Sequence, residues 1–173
     1  MTGEGVPINP DIPSLGKVTL SYVFLEDRVQ LSGLDTQGQT IRLWLTARLL
    51  RSLVPYLIRR HAEFEVQRAT SASDAAALNR ENEEDEIAVN GEHASSEALI
   101  SEIDLATHHT GLSLVFKEPQ KGACASFTLS VSALVIWNRA LKQCFEQAGW
   151  ATDVFDRALN TSTLAARTAV TIH

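Results

Sequence analysis

Two cysteines in 173 residues, Cys124 and Cys144, are too few for a disulfide framework, and neither lies in a CxxC pair or beside a histidine at metal-ligand spacing. A reducing compartment is the simpler reading. No run of about 18 apolar residues occurs, and the opening MTGEGVPINPDIPSLG has neither a basic stretch nor an apolar one, so a cytoplasmic, non-spanning protein is expected. Positive charge is scarce as well. Fifteen Lys and Arg against 21 Asp and Glu give a net charge of -6 and argue against general affinity for DNA or acidic membranes. The chain also lacks GxSxG, GxxxxGK[ST], GxGxxG, HExxH and EF-hand spacings. Taken together these absences disfavour a familiar catalytic mechanism, and no cofactor or metal is expected.

What is present is 45% apolar, enough for one core. At this length a single globule removes roughly 70% of its unfolded surface from water. Residues 1–16, with Pro7, Pro10 and Pro13, read as an extended arm. Three alternating runs follow, KVTLSYVFLE, RVQLSGLD and QTIRLWLT, and predict an antiparallel meander. Thr46 stands at a helix N-cap position, ahead of Leu49, Leu50, Leu53, Leu57 and Ile58 at helical spacing. Pro55 predicts a kink or a break near Val54.

Residues 69–98 hold no aromatic and carry the acidic cluster Glu81, Glu83, Glu84, Asp85, Glu86, which predicts a disordered or loosely helical insertion. Three more alternating runs begin at Ile100: ISEIDLAT, GLSLVFKE and ACASFTLSV, the last two joined by a turn at Lys117–Gly122. Leu134, Trp137, Leu141, Cys144, Phe145 and Ala148 form one helical stripe, with Ser132 as expected N-cap and Gly149 as C-terminal residue. Thr152 starts a short helix through Leu159, and the rest of 151–173 is a polar tail. Residues 17–150 are thus expected to form one α+β domain, an antiparallel β-sandwich or partly open barrel with a helical excursion between two strand sets and a C-terminal covering helix.

Candidate chemistry is sparse. His61, Glu63 and Glu65 are one possible acid/base or metal group, with an ordinary His-Glu pair on a solvated helix face as the competing explanation. His108 and His109 are adjacent, so an extended backbone points them apart. Cys124 alternates away from Phe127 and Leu129, and Cys144 sits on the apolar stripe. Charge segregation is the feature that stands out. Residues 42–68 hold six arginines against two acids, whereas residues 74–104 hold ten acids against Arg80. Guanidinium groups donate paired bonds to carboxylates or phosphates. Arg48, Arg51 and Arg59 fall on one side of an ideal helix. That patch is read three ways: a solvated face, a surface that receives the acidic stretch or a partner, or a nucleic-acid contact. Trp44, with Arg42 beside it, alternates away from Ile41, Leu43 and Leu45, and is either an interface anchor or covered by a packed helix.

The stretches VQLSGLDTQGQTIRLWLTARLLRSLVPYL and GLSLVFKEPQKGACASFTLSVSALVIWNRALKQCF follow an order of strands, helical excursion, hairpin and helix. This order resembles the globular heads of the superfamily that includes DNA end-joining scaffold proteins and centriolar cartwheel assembly proteins. The resemblance implies a small β-barrel or sandwich head followed by a dimerising stalk; the helix ending at Gly149 departs from the stalk, and no functional residue carries over. The expected function is a non-catalytic interaction or scaffold module, self-associating as a homodimer through Arg42, Trp44, Arg48, Arg51, Arg59 and Arg60. The alternatives are an enzyme using the His/Glu group and a weak nucleic-acid-binding module.

Overall fold

A computed structural model describes residues 12–71, 88–160 and 169–173. The fold is α+β, with three helices and one open mixed sheet. The first meander forms as expected, with β1 (Ser14–Val23), β2 (Arg28–Asp35) and β3 (Thr40–Leu45) paired antiparallel. The second meander is β5 (Glu102–His108), β6 (Gly111–Glu118) and β7 (Gly122–Ser130). Two short strands flank them: β4 (Ser96–Leu99) lies parallel to β3, and β8 (Ala169–Ile172) lies antiparallel to β5. Spatial order is β4-β3-β2-β1-β7-β6-β5-β8, so the strands do not divide into two facing sheets. The two meanders meet where β1 runs parallel to β7, pairing Ser14 with Ser126 and Leu15 with Phe127. The Pro13 carbonyl accepts the Ser126 N–H at 2.8 Å, so the end of the expected arm belongs to this seam.

Alternation decides which side of the sheet is covered. Val29, Leu31, Ile41, Leu43, Leu45, Ile103, Leu105, Leu112, Leu114, Phe116, Ala125, Phe127 and Leu129 are buried on the face shared with the helices. α1 (Ala47–Ser71) follows β3 directly. Thr46 Oγ1 accepts the Leu49 N–H at 3.3 Å, which satisfies a first-turn donor. Leu49, Leu50, Leu53, Val54 and Leu57 are buried at helical spacing. The break expected at Pro55 does not occur, and α1 runs through it unbroken. Proline removes the donor for the Arg51 carbonyl, and Arg51 and Ser52 lie on the exposed side, where water can replace it.

α2 (Val131–Ala148) is capped by Ser130, whose side chain accepts the Ala133 N–H at 3.2 Å; the cap lies two residues before the expected Ser132. Ser130 has the extended backbone (ψ 163°) that a cap needs, while Ser132 is already inside the first turn. Gly149 closes the helix as expected, at φ 68°. The Trp150 N–H returns to the Phe145 carbonyl at 2.9 Å, and the two rings meet edge to face at 5.3 Å, the contact that accompanies this C-terminal motif. α3 (Asp153–Asn160) packs on α1, and its Phe155 meets Phe145 at 5.2 Å. Trp137 of α2 stacks on Phe127 of β7 at 5.4 Å, and α2 also contacts β1, so it spans the seam between meanders.

Within residues 69–98, which were expected to be an insertion, residues 69–71 end α1, residues 96–98 belong to β4, and 72–87 fall outside the described residues. Residues 1–11 of the arm and 161–168 of the tail also fall outside.

Phe145 is fully buried and holds Trp150 and Phe155 against α2. Phe145→Ala is expected to cost about 3–5 kcal/mol in urea unfolding, with loss of helical signal in the same transition.

Candidate interaction surface on the helix-free face

The other sheet face has no helix over it. Arg42 and Trp44 of β3 lie there, as alternation from Ile41, Leu43 and Leu45 requires, and the parallel register places Glu97 beside Arg42 and Leu99 beside Trp44. Antiparallel pairing adds Gln30 opposite Trp44 and Ser32 opposite Arg42.

Residues 88–92 cross over part of this face. The Val89 N–H donates to Thr19 Oγ1 at 2.8 Å, and Val89 is buried. Gly91 lies so close to β2 that a Cβ there would sit 2.3 Å from both Gln30 Nε2 and Ser32 Oγ, so only glycine fits. Arg42 fastens the crossing. Its Nη2 donates to the Gly91 carbonyl, its Nη1 to Glu97 Oε2 at 3.0 Å, and its guanidinium stands 5.7 Å from the Trp44 ring centre. Arginine is suited to this position because one planar group serves two acceptors and an aromatic ring at once.

Beyond the crossing segment the face stays open. Glu26, Arg28, Arg42, Trp44, Glu97, Ala98 and Leu99 line a broad depression of about 490 Å³. Leu99 is 41% exposed, and the β1–β2 turn that carries Glu26 exposes Phe24 and Leu25 at 81% and 91%. Arg28 is 3.6 Å from Glu26. The depression is therefore an apolar strip with both charges at its rim, which suits contact with another surface better than small-molecule enclosure.

The second meander presents a different helix-free face. Lys117 Nζ lies 2.7 Å from both Glu102 and Asp104, Thr171 Oγ1 donates to Asp104 at 2.5 Å, and His108 Nε2 lies 2.9 Å from Ser113 Oγ. These polar pairs make an ordinary solvated antiparallel surface. The two carboxylates raise the Lys117 pKa above 10.5, Asp104 contributing most.

The other expected contact residues are on the far side of the sheet. α1 leaves β3 through Thr46 and packs on the Leu43 face, so Arg48, Arg51 and Arg59 lie on the helix layer and cannot share a surface with Trp44. Arg48 and Arg51 are exposed, and Arg59 stands 5.7 Å from the Tyr56 ring. Arg60 is only 7% exposed, holds Glu63 at 2.5 Å and stands 5.1 Å from the Tyr56 ring, so it is a structural residue rather than a contact residue.

His61, Glu63 and Glu65 all ride on the unbroken α1, but Glu63 is engaged by Arg60 and Glu65 lies 3.8 Å from Arg68. Among the described residues, no three His, Cys, Asp or Glu side chains are grouped to hold a metal ion. Burial pushes the Cys124 and Cys144 thiols up to about 11, which leaves little thiolate at neutral pH. Among the described residues, no helix is long and apolar enough to cross a membrane.

Arg28, Glu97, Leu99 and Gly91 were missed from sequence because three of them fall in or beside the stretch read as an insertion. The run Ala98-Leu99-Ile100 at its end was the available signal. No family model, curated protein or solved structure matches the chain.

Arg42→Ala leaves the buried Gly91 carbonyl without its donor and is expected to cost about 1–3 kcal/mol. Amide exchange should accelerate at residues 88–99 and stay unchanged in β6 and β7. Lys117 provides a separate pH test. Its folded pKa is raised, so its contribution is present below pH 10.5 and lost as pH climbs through the raised value. Thermal melts from pH 9 to 12 should show wild type losing its advantage over Lys117→Met across that window.

Proposed function

We infer that the protein is a non-catalytic interaction module that self-associates, with the depression around Trp44 and Leu99 as its contact surface. A single observation carries this reading: apolar side chains stay exposed beside Trp44 on a sheet face whose remaining area is either roofed by residues 88–92 or laced with polar pairs. An aromatic flanked by arginine, at the centre of such a strip, is the composition that anchors protein contacts. Ionisable groups do not compete with this reading at the His/Glu site, because Glu63 and Glu65 are each drawn to a neighbouring arginine.

In the head-domain superfamily that the order of elements resembles, a stalk makes the dimer. Here α2 stops at Gly149 and α3 folds back onto α1, so self-association through this chain's described elements has to use the head itself.

Light scattering after size exclusion is expected to give a dimer mass that falls toward the monomer on dilution. Trp44→Ala should weaken the dimer by about 10- to 100-fold, corresponding to roughly 1.4–2.8 kcal/mol. A monomer at every concentration, or a dimer indifferent to Trp44→Ala, would refute the assignment. The exposed Arg48 and Arg51 offer a separate control, since Arg48→Glu/Arg51→Glu should leave the dimer intact.

A further inference from the structure

We propose that the partner on this face is the β4 edge of a second copy, the two strands pairing antiparallel about a two-fold axis that passes between their Ala98 residues. The proposal rests on the self-association reading and specifies how it is achieved.

The backbone carries the first part. β4 is the outermost strand, and among the described residues nothing pairs with its outer side. The Ile100 N–H points inward to the Trp44 carbonyl at 3.0 Å. Peptide groups alternate along a strand, so the groups of Ala98 face β3 as well, while those of Glu97 and Leu99 face outward with no strand to meet. An axis normal to the sheet keeps like faces together, which means a residue on the helix-free face must oppose another on that face. Centring on Ala98 satisfies this rule. Glu97 then exchanges both main-chain bonds with Leu99 of the second copy, Leu99 with its Glu97, and the two Ala98 residues form the close, non-bonded pair. Centring on Glu97 instead would oppose two carboxylates, which is repulsive.

Side chains carry the second part. A four-residue edge is too short to select its partner by main-chain bonds alone. In the Ala98-centred register, Glu97 of each copy arrives beside Leu99 and Trp44 of the other, over the depression whose far wall is Arg28. Arg28 holds only a 3.6 Å contact with Glu26, and Glu97, 60% exposed, uses Oε2 for Arg42 and has Oε1 available. The surface is thus self-complementary, which is what an isologous dimer requires: an acid presented at the edge, and a cation at the end of an apolar hollow one strand pair away.

The test uses the full chain. Ala98→Cys should convert almost wholly to a disulfide-linked dimer under oxidised glutathione, because only this register opposes the two positions. Ser96→Cys should not, since its two copies would lie roughly 13 Å apart. Cys124 and Cys144, with pKa values raised to about 11, contribute little background. Arg28→Glu and Glu97→Arg should each weaken the dimer by about tenfold or more, and the Arg28→Glu/Glu97→Arg double variant should recover most of the loss.

A wild-type dimer that neither cross-links through Ala98→Cys nor responds to Arg28→Glu overturns the β4 seam and leaves self-association standing on another surface. A protein monomeric up to about 100 µM overturns both. A monomer whose β4 amides become protected only on adding an extended peptide of unrelated sequence also overturns the proposal, because the edge then takes a foreign strand.

Discussion

A sheet has two faces and this fold covers one of them with helices. Every alternating strand sends its large apolar residues toward α1 and α2, and Leu31, Leu43, Leu45, Ile103, Leu114 and Phe116 are excluded from water there. The remaining architecture follows from how the other face is managed. Across β5, β6 and β8 it is made polar, with Lys117 drawing Glu102 and Asp104 together. Across β1, β2 and part of β3 it is roofed by residues 88–92, held down by Thr19 and Arg42. At the β3–β4 end neither device operates, and Trp44 and Leu99 are left beside Arg28 and Glu97.

The same constraint explains the position of α2. Two antiparallel meanders are each self-sufficient in hydrogen bonds, yet they share only a two-residue parallel seam between β1 and β7. A seam that short does not hold two halves together by main-chain bonding. α2 lies across it instead, with Trp137 stacked on Phe127, the residue registered against Leu15. Burial of apolar area by one helix on both meanders unites the sheet, and the Phe145, Trp150 and Phe155 cluster then ties α3 into the same layer.

Much of this was readable before any coordinates. Six strands, the Thr46 cap, the α2 stripe and Gly149 were legible because alternation, helical spacing and capping are local signals carried by strongly periodic segments. What was not legible depends on distant partners. β4 is four residues long, has no alternation of its own, and exists because β3 offers it a parallel edge; β8 relies on β5 in the same way. Pro55 is tolerated because the carbonyl it orphans faces solvent, a fact about orientation that spacing alone does not contain. The candidate site was half visible. Alternation placed Arg42 and Trp44 on the face away from the core, but their neighbours Arg28, Glu97 and Leu99 arrive through strand pairing. The arginines of α1 looked like part of one patch because they are near in sequence, whereas the sheet itself stands between them and Trp44.

The account holds that Trp44 is exposed in one copy in order to be covered by another. The chain has three tryptophans, and in the fold Trp137 is buried and Trp150 is half-buried against Tyr22 and Phe145. Fluorine NMR of protein labelled with 5-fluorotryptophan reads each ring separately over a dilution series. The Trp44 resonance is predicted to move between two limiting positions as concentration falls while that of Trp137 stays fixed; a Trp44 resonance that does not move while the protein changes mass, or never changes at all, contradicts the account.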